Sequence, residues 1–107
     1  MELKDNPKLI DLYEEYHKPG NVWPEVINSI KSSGIVNMTI HRTNTQLIMV
    51  LDVDESFCFE KKSSQDINNP KVQEWERLME NFQLIESIEN SAEKWKPIVK
   101  IFSLDEH

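Results

Sequence analysis

The sequence predicts one α+β domain that spans residues 1–107, and three observations support this prediction. Two stretches near the N-terminus begin at prolines and carry apolar residues every three or four positions, as amphipathic helices do. Two runs rich in β-branched residues follow, and a further helical stretch comes after them. The chain has 107 residues, of which 38% are hydrophobic, so it can bury one core of ordinary size.

The first two helices are predicted from their start and stop signals. Asn6 is a good N-cap and Pro7 fits the first helical position, so the first helix runs from there to about His17. Pro19-Gly20 then ends it. The second helix begins at Trp23-Pro24 and ends at Gly34, and we expect Trp23 to pack at the junction of the two helices.

Two strands are predicted next, over Ile35–Arg42 and Gln46–Val53, with a short turn between them. The first alternates between apolar and polar residues and therefore has one wetter face. The second is apolar on both faces, which is typical of a strand covered on both sides. Because a domain of this size has helices for one sheet face only, the sequence predicts a homodimer in which a second subunit covers the other face.

The C-terminal half is predicted to hold two more helices and a last strand. A short helix is expected over Glu55–Lys62, a polar loop over Ser63–Asn69, a clear helix from Pro70 to Phe82 and a strand over Ile98–Leu104, with irregular chain over residues 83–92. Cys58, flanked by two phenylalanines, is expected to pack in the core. The resulting order of elements corresponds to a ferredoxin-like βαββαβ sandwich with split helical crossovers, the plan of dimeric α+β barrels.

Composition and motif content exclude several classes of function. The chain carries 12 basic and 19 acidic residues, a net charge of −7, which argues against binding nucleic acid or anionic membranes but suits a neutral solute. With one cysteine and two glycines, the chain has neither an intramolecular disulfide nor a phosphate loop. The three histidines lack metal-ligand spacing, so no metal or cofactor is expected. No secretory or membrane-spanning segment is evident, which predicts a cytoplasmic, soluble protein.

The most suggestive spacing is Tyr13-x-x-x-His17, because side chains four apart on a helix lie side by side. A histidine at a helix end beside an aromatic ring suits proton transfer near neutral pH. The alternative is structural, with a packed tyrosine and an imidazolium that the helix dipole favours. A wider set of side chains fits the apolar and polar sides of a sugar ring but also fits an ordinary core with a polar edge. That set is Tyr13, His17, Trp23, His41 and Trp75.

Several blocks, in the same order along nearly the whole chain, resemble the L-rhamnose mutarotase family. They are Tyr13-x-x-x-His17, Trp-Pro-Glu-Val at 23–26, Gly-Ile-x-Asn-Met-x-Ile at 34–40, Pro-Lys-Val-Gln-Glu-Trp-Glu-x-Leu-Met-x-x-Phe-Gln at 70–83, Glu-Lys-Trp at 93–95 and Ile-Phe-x-Leu at 101–104. The resemblance implies a dimeric ferredoxin-like fold. It also implies an isomerase that interconverts the anomers of a monosaccharide, a 6-deoxy-L-hexose such as L-rhamnose or, in some branches, L-fucose.

The resemblance also implies roles for particular residues. His17 takes the place of the catalytic histidine, and Tyr13 takes that of a tyrosine that contacts the substrate. Trp75 and Glu76 fall on a paired aromatic site that often holds two tryptophans, and Met38 falls where relatives have a tyrosine that lines the sugar site. This chain further departs from the family in about two extra residues near position 20 and in a very short first strand.

Mutarotation requires a proton to reach the ring oxygen while another leaves the anomeric hydroxyl. One imidazole can both donate and accept these protons near pH 7. Two other functions suit the same fold. One is a non-catalytic dimeric module that binds a sugar or another small molecule. The other is a small cofactor-free oxygenase, which requires an apolar pocket for a quinol-like substrate or haem.

Overall fold

The computed structural model describes residues 1–84 and 95–106 of the chain. Within them the order of elements is α1 (Pro7–Tyr16), α2 (Pro24–Ser32), β1 (Ile35–Thr43), β2 (Gln46–Val53), α3 (Phe59–Ile67) and α4 (Pro70–Glu80), followed by a 3₁₀ turn at Leu104–Glu106. The prediction of an α+β fold is confirmed. So are the predicted positions of α1, α2, β1, β2 and α4, to within about two residues at each end.

The helix that carries the predicted site, α1, begins and ends where local chemistry requires. The Asn6 side-chain oxygen accepts hydrogen bonds from the backbone N–H groups of Lys8 and Leu9, at 3.0 and 3.3 Å. Its last residue is Tyr16, and His17 forms the C-cap. Asn69 caps α4 in the same way, accepting from two backbone N–H groups at 3.1 and 3.3 Å. These caps satisfy donors that the helix itself leaves unpaired.

The two strands form an antiparallel pair with a β-bulge between Ile35 and Asn37. The register pairs Met38 with Leu51, Ile40 with Met49 and Arg42 with Leu47, so these side chains share the face that packs toward the helices. On the opposite face Ile48 and Val50 are 44% and 50% exposed. One face of the sheet therefore joins the core and the other carries uncovered apolar side chains.

Isolated β-bridges join the N-terminal segment to the start of β2 and to the residues that follow α4. Glu2 bridges Gln46, and Leu3 bridges Gln83, each in antiparallel orientation. Leu3 is the most completely buried hydrophobic side chain of the described residues, and it lies in a core cluster with residues from α1, α2, β2 and α4. That cluster consists of Leu3, Tyr13, Val26, Leu47, Trp75, Met79 and Phe82.

The predicted last strand is wrong. Residues 98–103 are irregular rather than a strand, and the large apolar side chains among them are 64–96% exposed. The apolar composition of this stretch predicted a strand, but composition alone does not supply the paired backbone that a strand requires. Most of the stretch predicted to be irregular, residues 85–92, lies outside the described residues.

The region around α3 also differs from the prediction. The helix runs from Phe59 to Ile67 rather than over 55–62, so most of the polar stretch expected to be a loop is helical. A half-buried ion pair between Lys62 and Asp66, four residues apart, supports that turn, and Ser29 of α2 donates to the Asp66 carboxylate at 3.1 Å. Cys58 is exposed, which corrects its expected burial, because it precedes the helix in extended conformation.

Candidate active site

A cavity of about 460 Å³ lies between α1 and the adjoining ends of β1 and β2. Its size falls in the range of about 300–1,000 Å³ that is typical of small-molecule sites. Two of its lining residues belong to α1, a third is the C-cap of that helix, three follow one another in β1, and one is near the start of β2. They are Tyr13, Glu14, His17, Ile40, His41, Arg42 and Leu47.

The helical spacing predicted from the sequence brings Tyr13 and His17 together on this cavity. Their ring centroids are 4.2 Å apart and the ring planes are tilted by 32°. Glu14 lies three residues before His17 and therefore on the same side of α1. This part of the site is therefore formed by residues close in sequence, because α1 and its C-cap present a phenol, a carboxylate and an imidazole to one cavity.

The imidazole of His17 is held in one tautomer. Its Nδ1 lies 2.7 Å from the backbone carbonyl oxygen of Tyr13. Because a carbonyl oxygen only accepts, Nδ1 carries the hydrogen and donates it, and Nε2 of the neutral ring is the atom that can take a proton. Burial lowers the pKa of His17 below its usual value, although the hydrogen bond to Tyr13 acts in the opposite direction. The ring is therefore a neutral base at pH 7.

Tyr13 is only 4% exposed, and this burial raises the pKa of its hydroxyl to about 12. The phenol consequently keeps its proton at neutral pH. In the cavity it can donate or accept a hydrogen bond, but it cannot serve as a phenolate base.

Aromatic side chains of α4 and of the α1–α2 junction close the site behind the imidazole. The Trp75 ring meets the His17 ring edge-on, with centroids 5.6 Å apart, and Tyr16 approaches Trp75 at 6.2 Å. Trp23, the N-cap of α2, packs against Trp75 of α4 with ring centroids 5.3 Å apart. This packing excludes water from one side of His17 and accounts for the lowered pKa.

The strand side of the cavity carries a salt bridge. Arg42 Nε donates to Glu14 Oε1, and Arg42 Nη1 donates to the backbone oxygen of Asn44 at 2.8 Å. His41 also lines the cavity, but it alternates with Arg42 along β1, and its Nε2 lies 3.0 Å from the Thr39 hydroxyl on the outer sheet face. The polar groups on this wall are therefore a carboxylate and a guanidinium held together.

Three predicted substrate contacts, Met38, Trp75 and Glu76, lie outside the cavity lining. Met38 is half-buried on the inner face of β1, one same-face step from Ile40. Glu76 follows Trp75 on α4 and accepts a hydrogen bond from Gln73 Nε2 at 3.3 Å. The structure thus brings the rings of Tyr13, His17 and Trp75 together, but of the predicted site residues among these only Tyr13 and His17 line the cavity.

Sequence reasoning missed Glu14 and Arg42 as lining residues. The position of Glu14 could have been found, because it is three residues from His17 on a predicted helix. The position of Arg42 could not, because its approach to Glu14 joins residues 28 apart in the chain. Among residues 1–84 and 95–106, no cluster of three or more metal-ligating side chains occurs. No helix in that part of the chain has the length and apolar content needed to cross a bilayer.

Comparison of the chain with known proteins identifies its relatives. The family described as L-rhamnose mutarotase matches residues 1–104. An L-fucose mutarotase of Xanthomonas campestris pv. campestris is 37% identical over 106 residues, which make up 99% of this chain and 85% of that protein. A UPF0734 protein of Dictyostelium discoideum is 35% identical over 112 residues, covering 98% of this chain and 86% of that protein. No solved structure matches.

The match along nearly the whole chain confirms the resemblance predicted from the sequence blocks, and with it the prediction of an isomerase. The chain belongs to the L-rhamnose mutarotase family, whose reaction is the interconversion of the anomers of a 6-deoxy-L-hexose.

Proposed function

We propose that this protein interconverts the α and β anomers of L-rhamnose or L-fucose, with His17 as the acid/base group. The observation that carries the proposal is the state of the His17 ring. It borders a cavity of suitable size, its Nδ1 hydrogen is engaged by the Tyr13 carbonyl, and its lowered pKa keeps Nε2 free to accept a proton near neutral pH.

The proposed reaction uses that one nitrogen twice. Nε2 of His17 takes the proton from the anomeric hydroxyl, the C1–O1 bond becomes a carbonyl, and the bond from C1 to the ring oxygen breaks. The resulting imidazolium returns the proton to the former ring oxygen. Rotation about C1–C2 presents the other carbonyl face, and the same steps in reverse close the ring as the opposite anomer, with no net gain or loss of protons.

The other predicted contacts have supporting roles in this proposal. The protonated Tyr13 hydroxyl hydrogen-bonds to a sugar hydroxyl, and its backbone carbonyl orients His17. Trp75 holds the imidazole edge-on and limits its exposure to water. Met38 and Glu76 contact the sugar where it extends past the lining residues; Met38 is one same-face step from Ile40 along β1, and Glu76 follows Trp75 on α4.

We further propose a single-domain, cytoplasmic enzyme with the ferredoxin-like fold of dimeric α+β barrels, working as a homodimer. The bridges of Met1–Leu3 to β2, and of Gln83 to Leu3, support that sheet order. Uncovered apolar side chains support the dimer, because contiguous exposed apolar surface marks an interface. They include Ile48 and Val50 on the outer sheet face and Ile98, Val99, Ile101 and Phe102 near the C-terminus.

Light scattering coupled to gel filtration tests the dimer. We expect twice the chain mass of 12.6 kDa, and we expect Val50→Lys on the outer sheet face to shift the mass toward one chain. Ile67→Lys is the matched control, since Ile67 is equally apolar and 68% exposed but lies on α3. A wild-type mass of one chain, or equal masses for the two variants, contradicts the dimer through this face.

The catalytic proposal is tested by NMR on equilibrated L-rhamnose, L-fucose and D-glucose. Magnetisation exchange between the two anomers gives the rate of mutarotation, and saturation transfer from the protein reports binding in the same sample. We expect faster anomer exchange for at least one 6-deoxy-L-hexose and a loss of about 10²–10⁴-fold in His17→Ala. Binding of sugar without faster exchange contradicts the enzyme and supports the non-catalytic binding module.

A further inference from the structure

The salt bridge between Glu14 and Arg42 is the polar feature of the cavity that the proposed reaction leaves without a role. Both side chains line the cavity beside Tyr13 and His17. The pair uses Oε1 of Glu14, and no hydrogen bond to Oε2 occurs within the described part of the chain. Glu14 therefore keeps one carboxylate oxygen available, and Arg42 keeps Nη2.

Stability does not account for the placement of this pair. The side chains of Arg42 and Glu14 are 36% and 48% exposed, and ion pairs at such positions contribute little to folding. Arg42 is nevertheless fixed from a second side, because Nη1 donates to the Asn44 backbone oxygen at 2.8 Å. A guanidinium and a carboxylate held together offer a donor and an acceptor side by side, which is what a sugar hydroxyl, itself donor and acceptor, requires.

We propose that the Glu14–Arg42 pair binds the C4 hydroxyl of the sugar and decides which 6-deoxy-L-hexose the enzyme accepts. This inference rests on the proposed function, since it assumes that the anomeric carbon lies at His17. Glu14 is three residues from His17, so their Cβ atoms are about 5–6 Å apart, comparable with the span of a pyranose ring and its hydroxyls. A sugar whose anomeric carbon meets Nε2 therefore directs the opposite side of its ring toward the pair.

The two candidate sugars differ at C4, the position that the Glu14–Arg42 pair is proposed to contact. L-rhamnose and L-fucose have opposite configurations at C2 and C4, and C4 lies across the ring from the anomeric carbon. A carboxylate and guanidinium in fixed orientation accept the C4 hydroxyl of one sugar with good geometry. In the other sugar that hydroxyl points elsewhere, which leaves the charged groups unpaired when water is displaced.

Glu14 acts on the substrate directly, and Arg42 acts partly as a positioning residue that holds the carboxylate. The test therefore separates binding from chemistry. In Glu14→Gln we expect KM for the preferred sugar to rise about 10–100-fold, the range for losing a hydrogen bond to a charged group. We expect kcat to change by less than about threefold, because the acid/base group is untouched.

Glu15→Gln is the matched control. Glu15 is the next residue on α1, carries the same side chain and pairs with Lys18 rather than with Arg42. It does not line this cavity, so we expect it to keep the wild-type KM and kcat. Arg42→Met should raise KM in the same direction as Glu14→Gln and should change the ratio of kcat/KM between L-rhamnose and L-fucose.

The 4-deoxy form of the preferred sugar tests the contact itself. With wild-type enzyme we expect the missing hydroxyl to raise KM about 10–100-fold, whereas Glu14→Gln should show less than about a threefold further rise. If the rises in KM caused by Glu14→Gln and by the 4-deoxy sugar multiply when the two are combined, Glu14 does not contact the C4 hydroxyl and the inference is overturned. An unchanged KM in Glu14→Gln would also overturn it. A wild-type protein that accelerates neither sugar instead contradicts the proposed function, which is a distinguishable result.

Discussion

The two walls of the cavity differ in the burial and the charge of their side chains. The wall on the α1 side is buried and aromatic: Tyr13 lines the cavity beside His17, and Trp75 of α4 packs behind that imidazole. The wall formed by β1 is wetter and charged, with Arg42 reaching across to Glu14. Tyr13 and Glu14 are adjacent in sequence, yet one belongs to each environment.

In the proposed mechanism, this difference separates proton transfer from recognition of the sugar. A proton-transfer group benefits from partial desolvation, because burial lowers the pKa of an imidazole and keeps it neutral at working pH. Groups that recognise hydroxyls need charge and fixed direction rather than a shifted pKa, and they tolerate water nearby. If this is so, substitutions in the aromatic wall change the protonation of His17, and substitutions in the charged wall change recognition of the sugar.

The largest effect on stability is expected from Trp75→Ala. Trp75 is 8% exposed and contacts His17, Tyr16 and Trp23, so truncation should lower the free energy of unfolding by about 3–5 kcal/mol. Urea denaturation followed by circular dichroism measures the change. Trp75→Phe is the conservative comparison and should lose much less. A loss below about 1 kcal/mol in Trp75→Ala would show that this wall is not packed as described.

A smaller effect is expected in the pH dependence of stability. The pKa of His17 is lowered by burial in the folded protein, so between that value and the reference of 6.5 the unfolded chain binds a proton that the folded chain does not. The contribution of this group to stability is thus complete above pH 6.5 and declines as the pH falls toward the folded pKa. Catalysis should persist below pH 6.5 for the same reason.

Chemical denaturation of wild type and His17→Gln at a series of pH values isolates this contribution. The difference between the two proteins should be constant above pH 6.5 and should change as the pH is lowered, with wild type losing the more stability. A pH-independent difference would mean that His17 titrates alike in the folded and unfolded chains, and the aromatic wall would then have no influence on its protonation.

What the sequence could predict was set by the range of the interactions involved. The α1 cap at Asn6, the stop at Pro19-Gly20 and the pairing of Tyr13 with His17 depend on neighbours within a few residues, and all three were predicted. The resemblance to the mutarotase family rests on residues spread along the chain and was confirmed over residues 1–104.

The features that escaped prediction depend on distant partners. Arg42 joins the site only because β1 passes beside α1, and no spacing of residues in the sequence predicts that contact. The apolar stretch over 98–104 has the composition of a strand, but a strand forms only where another backbone lies alongside it. The helix α3 was predicted about four residues too early in the chain, because its polar second half is held by contacts of Lys62 and Asp66 to Ser29 on α2.

Chemical rescue tests whether the neutral imidazole of His17 carries the proton. Anomer exchange of the preferred sugar is measured by NMR for His17→Ala with and without added imidazole, with Tyr16→Phe as a control that leaves the cavity lining intact. We predict that His17→Ala loses about 10²–10⁴-fold in rate and regains part of it in proportion to the neutral imidazole present. Full wild-type exchange in His17→Ala without imidazole would contradict the account.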